Sequence, residues 1–170
     1  MAANPAKHKH QINEAPQLRN LEILLVFSIG GKLAAFSVYE VDEVAAPSVI
    51  ESLPNHVDKV AGLMSLRGEV IPIIDLTGEY SQNFAEKQRV IVITVGDSKI
   101  GLLADVHMQV VKGIASDVSE LPEKAASFLK PFAKAVVKDQ KGLTIPLLDG
   151  KLLLNTVLTG IAGENKERET

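Results

Sequence analysis

The stretch VAGLMSLRGEVIPIIDL (60–76) decides the fold class. Two apolar, Val- and Ile-rich runs flank the polar turn Leu66-Arg67-Gly68-Glu69. Gly68 permits a tight turn with positive φ, because it has no Cβ to clash with the backbone. Pro72 lacks an N–H, so the second run belongs at an edge or a bulge of its sheet. The segment therefore reads as a β-hairpin. Arg67 is the single basic residue in it. Two readings stand level: a guanidinium bonded to loop carbonyls or a nearby carboxylate, or an exposed partner contact, since Arg is enriched in interfaces.

Working outward, short apolar runs separated by turn residues predict further strands at 21–29, 33–38, 41–45, 90–95, 100–106, 108–112, 135–138 and 143–148. Gly30-Gly31 and Gly96-Asp97-Ser98 mark hairpin turns. A short helix is expected within 119–132, limited by Pro122 and Pro131, and a C-terminal helix or strand-plus-helix over 149–161. An internal echo adds to this. FSIGGKLAAFSVYEVDEV (27–44) aligns with ITVGDSKIGLLADVHMQV (93–110), and IPIID (71–75) with IPLLD (145–149). Two matches in the same order imply two similar β halves. The expected organisation is a flexible arm at 1–19, one domain of two β subdomains over 20–162, and a charged tail at 163–170.

Composition narrows the function. The 170 residues are 46% apolar, enough for a sizeable core, and 18 basic against 21 acidic side chains leave a net charge of −3. Nucleic-acid binders concentrate positive charge, so nucleic acid is not an expected partner. The absence of cysteine removes disulfides, thiol nucleophiles and thiolate metal sites. No apolar run approaches the ~20 residues of a membrane helix, and the start MAANPAKHKHQINEAP lacks a signal-like apolar segment. A cytoplasmic protein is expected. No nucleophile elbow, phosphate loop or dinucleotide fingerprint is present. His8 and His10 read as part of a solvated arm rather than a metal site. His56, His107, Asp75 and Asp149 are scattered, and the two aspartates suit turn capping better than paired catalysis. No catalytic residue, metal or cofactor is expected.

In combination these segments resemble the CheW-like family. VAGLMSLRGEVIPIIDL is similar to its hallmark hairpin, with Ser65 where Asn is common. VFSIGGKLAAFSV (26–38) resembles the opening hairpin, and Val41-Asp42-Glu43-Val44 the Val-x-Glu-Val segment. Leu53-Pro54-Asn55 precedes the hallmark as in the family. IGLLADVHMQVV (100–111) resembles the Gly-Leu-Leu-Val-Asp-x-Val strand, with Ala104 for the usual Val, and LTIPLLDGKLLL (143–154) the closing strand and helix start. The resemblance covers 21–158. It implies an all-β fold of two intertwined five-stranded β-barrel subdomains with short helices and a C-terminal helix. It also implies a non-catalytic adaptor, without cofactor, that links a CheA-type histidine kinase to the cytoplasmic tip of methyl-accepting chemoreceptors. Val41, Glu43, Gly62 and Arg67 match the family's receptor-facing positions. Alternatives are an adaptor in a pilus, twitching or other receptor array and, from a different class, a β-barrel ligand-binding module.

Overall fold

The computed structural model describes residues 21–80, 86–116, 120–122 and 128–167, with side chains as far as 162. The arm at 1–19, with His8 and His10, lies outside the described residues. Among the described residues there are eleven strands: β1 (Leu21–Ile29), β2 (Lys32–Ser37), β3 (Val41–Ala45), β4 (Ile50–Glu51), β5 (Val60–Leu66), β6 (Glu69–Ile74), β7 (Gln88–Val95), β8 (Ser98–Asp105), β9 (Met108–Ser116), β10 (Ala133–Asp139) and β11 (Thr144–Leu148). The helix α1 (Gly150–Glu167) follows. It is longer than the sequence suggests and carries the chain into the region read as a charged tail. Of the helix expected within 119–132, the described part includes a 3-10 turn at Lys130–Phe132; much of the rest falls outside the described residues.

The strands sort into two units. A closed five-stranded barrel runs β1-β2-β11-β10-β9, and a six-stranded sheet runs β3-β7-β8-β6-β5-β4. The sixth strand of the sheet is the two-residue β4, which the sequence reading did not anticipate. Its flanks, Pro47 and Pro54, and the absence of alternation in VIESL hide it.

The units are intertwined. The β1–β2 hairpin lies in the barrel and β3 crosses to the sheet; the β7–β8 hairpin lies in the sheet and β9 crosses to the barrel. The internal echo is thereby explained to the residue. The barrel's parallel pair is Leu147↔Ala35, and the sheet's is Ile73↔Gly101. The 66-residue offset carries Ala35 onto Gly101, and the 74-residue offset carries Ile73 onto Leu147. A β-bulge opens both β5 (between Val60 and Gly62) and β10 (between Ala133 and Ala135). Both pentads also end alike: the Asp75 N–H donates to the Lys59 carbonyl at 2.9 Å, and the Asp149 N–H to the Phe132 carbonyl at 2.8 Å.

Alternation along each strand divides the apolar residues among three clusters. Leu24, Val26, Ala35, Val137, Ile145 and Leu147 fill the barrel. Ile50, Met64, Ile71, Ile73, Val90, Val92 and Leu103 fill the curve of the sheet. Between the two lies the largest cluster. In it Phe27 and Phe36 stack with centroids 5.6 Å apart, and Ile74, Ile91, Ile93, Ile100, Leu102 and Leu148 meet Leu153 and Val157 of α1. It holds 16 buried residues against 7 and 6 in the others. At about 1.5–3 kcal/mol for each large side chain buried, this shared cluster, rather than either interior, keeps the halves together. Surfaces on the two units are therefore held in fixed relation.

Candidate docking site

The hallmark segment forms the β5–β6 hairpin, with Leu66 paired to Glu69. Both central residues have positive φ, Arg67 at 51° and Gly68 at 84°, which defines a type I′ turn. Glycine adopts this geometry freely; arginine does so at a cost of about 1 kcal/mol or more. The strained position holds the arginine at the hairpin tip, where its side chain is 79% exposed.

The guanidinium meets a carboxylate brought by the opposite flank of the curled sheet. β3 pairs with β7 through Val41↔Ile93 and Glu43↔Val92, with a bulge between Val41 and Glu43. Val41 is half-buried against the central cluster, which fixes the start of the strand. Two residues on, Glu43 Oε2 lies 3.1 Å from Arg67 Nε. The structural reading of Arg67 is thus satisfied by Glu43, and the contact leaves most of the guanidinium open. An exposed pair of this kind contributes about 0–1 kcal/mol, too little to explain by itself why arginine occupies a strained turn position.

Gly62 belongs to the same hairpin but is itself buried. Its φ is 151°, and a Cβ there would lie 2.2 Å from the Glu51 carbonyl oxygen of β4. It supports the site from beneath by letting β4 lie on β5 through Ile50↔Met64 and Glu51↔Leu63. Of the four residues singled out in the sequence, Glu43 and Arg67 touch, Val41 anchors the strand bearing Glu43, and Gly62 acts through the backbone.

Further charges border this pair. Lys99 of β8 bonds Glu69 of β6 at 2.7 Å. The hydrogen bond to Glu69 raises its pKa, and the nearby Asp42 and Glu43 carboxylates add to the shift. Asp42 accepts a hydrogen bond from the Thr94 hydroxyl. The sequence reading missed Asp42, Glu69, Thr94 and Lys99. Glu69 and Lys99 are 30 positions apart and meet because β6 and β8 are parallel neighbours; in this chain the pentad echo was the signal for that pairing.

The other candidates are dispersed. Asp75 ends β6 and accepts from the Thr77 N–H at 3.0 Å, the Thr77 hydroxyl at 2.7 Å and the Tyr80 N–H at 2.8 Å. Asp149 accepts from the Lys151 N–H at 2.9 Å at the start of α1. Both are turn caps, as their pentad positions imply. His56 and Asp75 line one polar cleft of about 480 Å³, whereas His107 lines a separate, mostly apolar one of about 230 Å³. In the larger cleft Lys59 bonds Asp58 at 2.7 Å, and this bond lowers the Asp58 pKa. Two of its charges are thus engaged with each other, while Asp75 is held by Thr77 and Tyr80. Among the described residues no group of three or more His, Asp or Glu is placed to hold a metal, and no helix is long and apolar enough to cross a membrane.

Fold and site together define a β scaffold: two rigidly joined units with side chains displayed at strand ends. The chain belongs to the CheW-like domain family, whose model matches residues 24–158. A chemotaxis protein CheW of Thermotoga maritima is 29% identical over 141 residues, 82% of this chain and 91% of that one. A CheW of Klebsiella aerogenes is 27% identical over 106 residues; the match spans 61% of this chain and 64%, just under two thirds, of that relative. The crystal structure of the scaffolding protein TtCheW from Thermoanaerobacter tengcongensis superposes with a TM-score of 0.60 at 24% identity, over 84% of this chain and 91% of that one, a likeness of fold.

Proposed function

We propose that this protein is a non-catalytic cytoplasmic adaptor that couples a CheA-type histidine kinase to the cytoplasmic tips of methyl-accepting chemoreceptors, with Val41, Glu43, Gly62 and Arg67 forming or supporting the receptor-facing surface. Membership in a family of chemotaxis scaffolds supports the class of function. The observation that carries the surface is the Glu43–Arg67 contact. Two positions carried over independently from separate motifs come within 3.1 Å of each other, at an exposed hairpin tip whose arginine sits in a strained conformation. An adaptor of this kind needs rigid geometry more than chemistry. Its contacts are individually modest, and tight coupling arises from several acting together.

Charge reversal tests the surface. In Glu43→Lys the pair with Arg67 becomes a repulsion between exposed cations, so stability changes by less than about 1 kcal/mol. Receptor fragments are expected to bind several-fold more weakly. Binding at the wild-type level, measured with purified receptor cytoplasmic fragments, would remove Glu43 from the receptor-facing surface.

A further inference from the structure

A 3-10 turn at Val38–Glu40 carries the chain from β2 in the barrel to β3 in the sheet. It displays Tyr39 with 82% of its surface exposed, more than any other large apolar side chain among the described residues. The turn under it is held on every side. Ser37 before it is buried. The Val41 N–H bonds the Val38 carbonyl, and Val41 packs on the central cluster. The Glu40 carboxylate accepts from Lys134 Nζ of β10 at 2.8 Å, tying the turn across to the barrel.

The ring is held out in solvent on a backbone anchored to both units. Such a residue loses little freedom on docking and offers a large amphipathic face, the qualities that enrich tyrosine among binding hot spots. It lies two residues before Val41, within about 7 Å along the chain, in the turn that leads into the strand supplying Glu43.

We infer that Tyr39 is a docking residue of the receptor-facing surface, its ring packing against an apolar patch of the receptor tip. The inference rests on the receptor-coupling function proposed above and adds a contact outside the hallmark hairpin. The ring, rather than the hydroxyl, carries it.

The test is titration of the full chain with receptor cytoplasmic fragments, using the wild type, Tyr39→Ser, Tyr39→Phe and Arg67→Asn. Melting curves of both Tyr39 variants should overlay the wild type, because the side chain contributes little burial. Tyr39→Ser should weaken binding at least ten-fold, and Tyr39→Phe should stay within about two-fold of wild type. If Tyr39→Ser binds normally while Arg67→Asn does not, the docking role of Tyr39 is wrong and the receptor reading survives. Equal losses in Ser and Phe would assign the contact to the hydroxyl and overturn ring packing. Failure of the wild type to bind these fragments would overturn the receptor reading, and this inference with it.

Discussion

Gly62→Ala is expected to lower the free energy of unfolding by about 3 kcal/mol or more. The added Cβ would meet backbone: the Glu51 carbonyl oxygen at 2.2 Å and its carbon at 2.8 Å. A carbonyl cannot rotate away as a side-chain end can, so β4 must lift off β5 or the strands must part. Overpacking alone costs about 1–3 kcal/mol, and the positive φ adds about 1 more. For a domain of this size the melting temperature should fall by about 10 °C. Gly68→Ala is the control, because its φ is also positive at 84° while a Cβ there meets nothing within 4 Å. It should cost only the conformational part, about 1–2 kcal/mol. Urea denaturation of the two variants separates space from conformation. Equal losses would mean that β4 does not pin Gly62 and that the glycine serves its φ alone. If Gly62 variants also lose receptor binding, the loss follows from a displaced β4 rather than from a missing contact at Gly62.

Arg67→Asn should separate stability from docking. Asn-Gly is the preferred pair for a type I′ turn, so the substitution relieves strain of about 1 kcal/mol at a residue with φ of 51°. Loss of the exposed bond to Glu43 offsets this by about 0–1 kcal/mol. The variant should melt at or slightly above the wild-type temperature. Its affinity for receptor fragments should nevertheless fall about 30-fold, the ~2 kcal/mol lost when an arginine hot spot is removed. A variant that melts well below wild type would show that the Glu43 contact is mainly structural. One that melts normally and binds normally would remove Arg67 from the docking surface.

What the sequence disclosed followed from how local each signal was. Period-2 apolar runs and paired glycines located ten of the strands, since side-chain alternation and φ > 0 turns are written in adjacent residues. β1, β3 and β5 fall on the expected bounds, and the pentad echo identified the two halves. β4 escaped because two residues cannot display a period; only the space left by Gly62 betrays it. The second unit, expected as a five-stranded barrel, thereby gains a sixth strand. At the site, motif positions supplied Val41, Glu43, Gly62 and Arg67, but nothing local showed that Glu43 and Arg67 touch. Their meeting depends on the curl of a sheet whose order is β3-β7-β8-β6-β5-β4. Tyr39 and the Glu40–Lys134 bond were equally illegible. The first is an ordinary residue between strands until its exposure is seen, and the second joins positions 94 residues apart.

The proposed role of the protein is to couple receptor to kinase. The most direct measurement reconstitutes purified receptor cytoplasmic fragments with the matching CheA-type kinase, with and without this protein, and follows co-sedimentation and kinase autophosphorylation. Receptor control of the kinase is expected to require the wild-type protein, and Arg67→Asn, although folded, to fail to support it. Receptor-dependent kinase control that is the same with and without this protein, and absence of the protein from the sedimented complex, would contradict it.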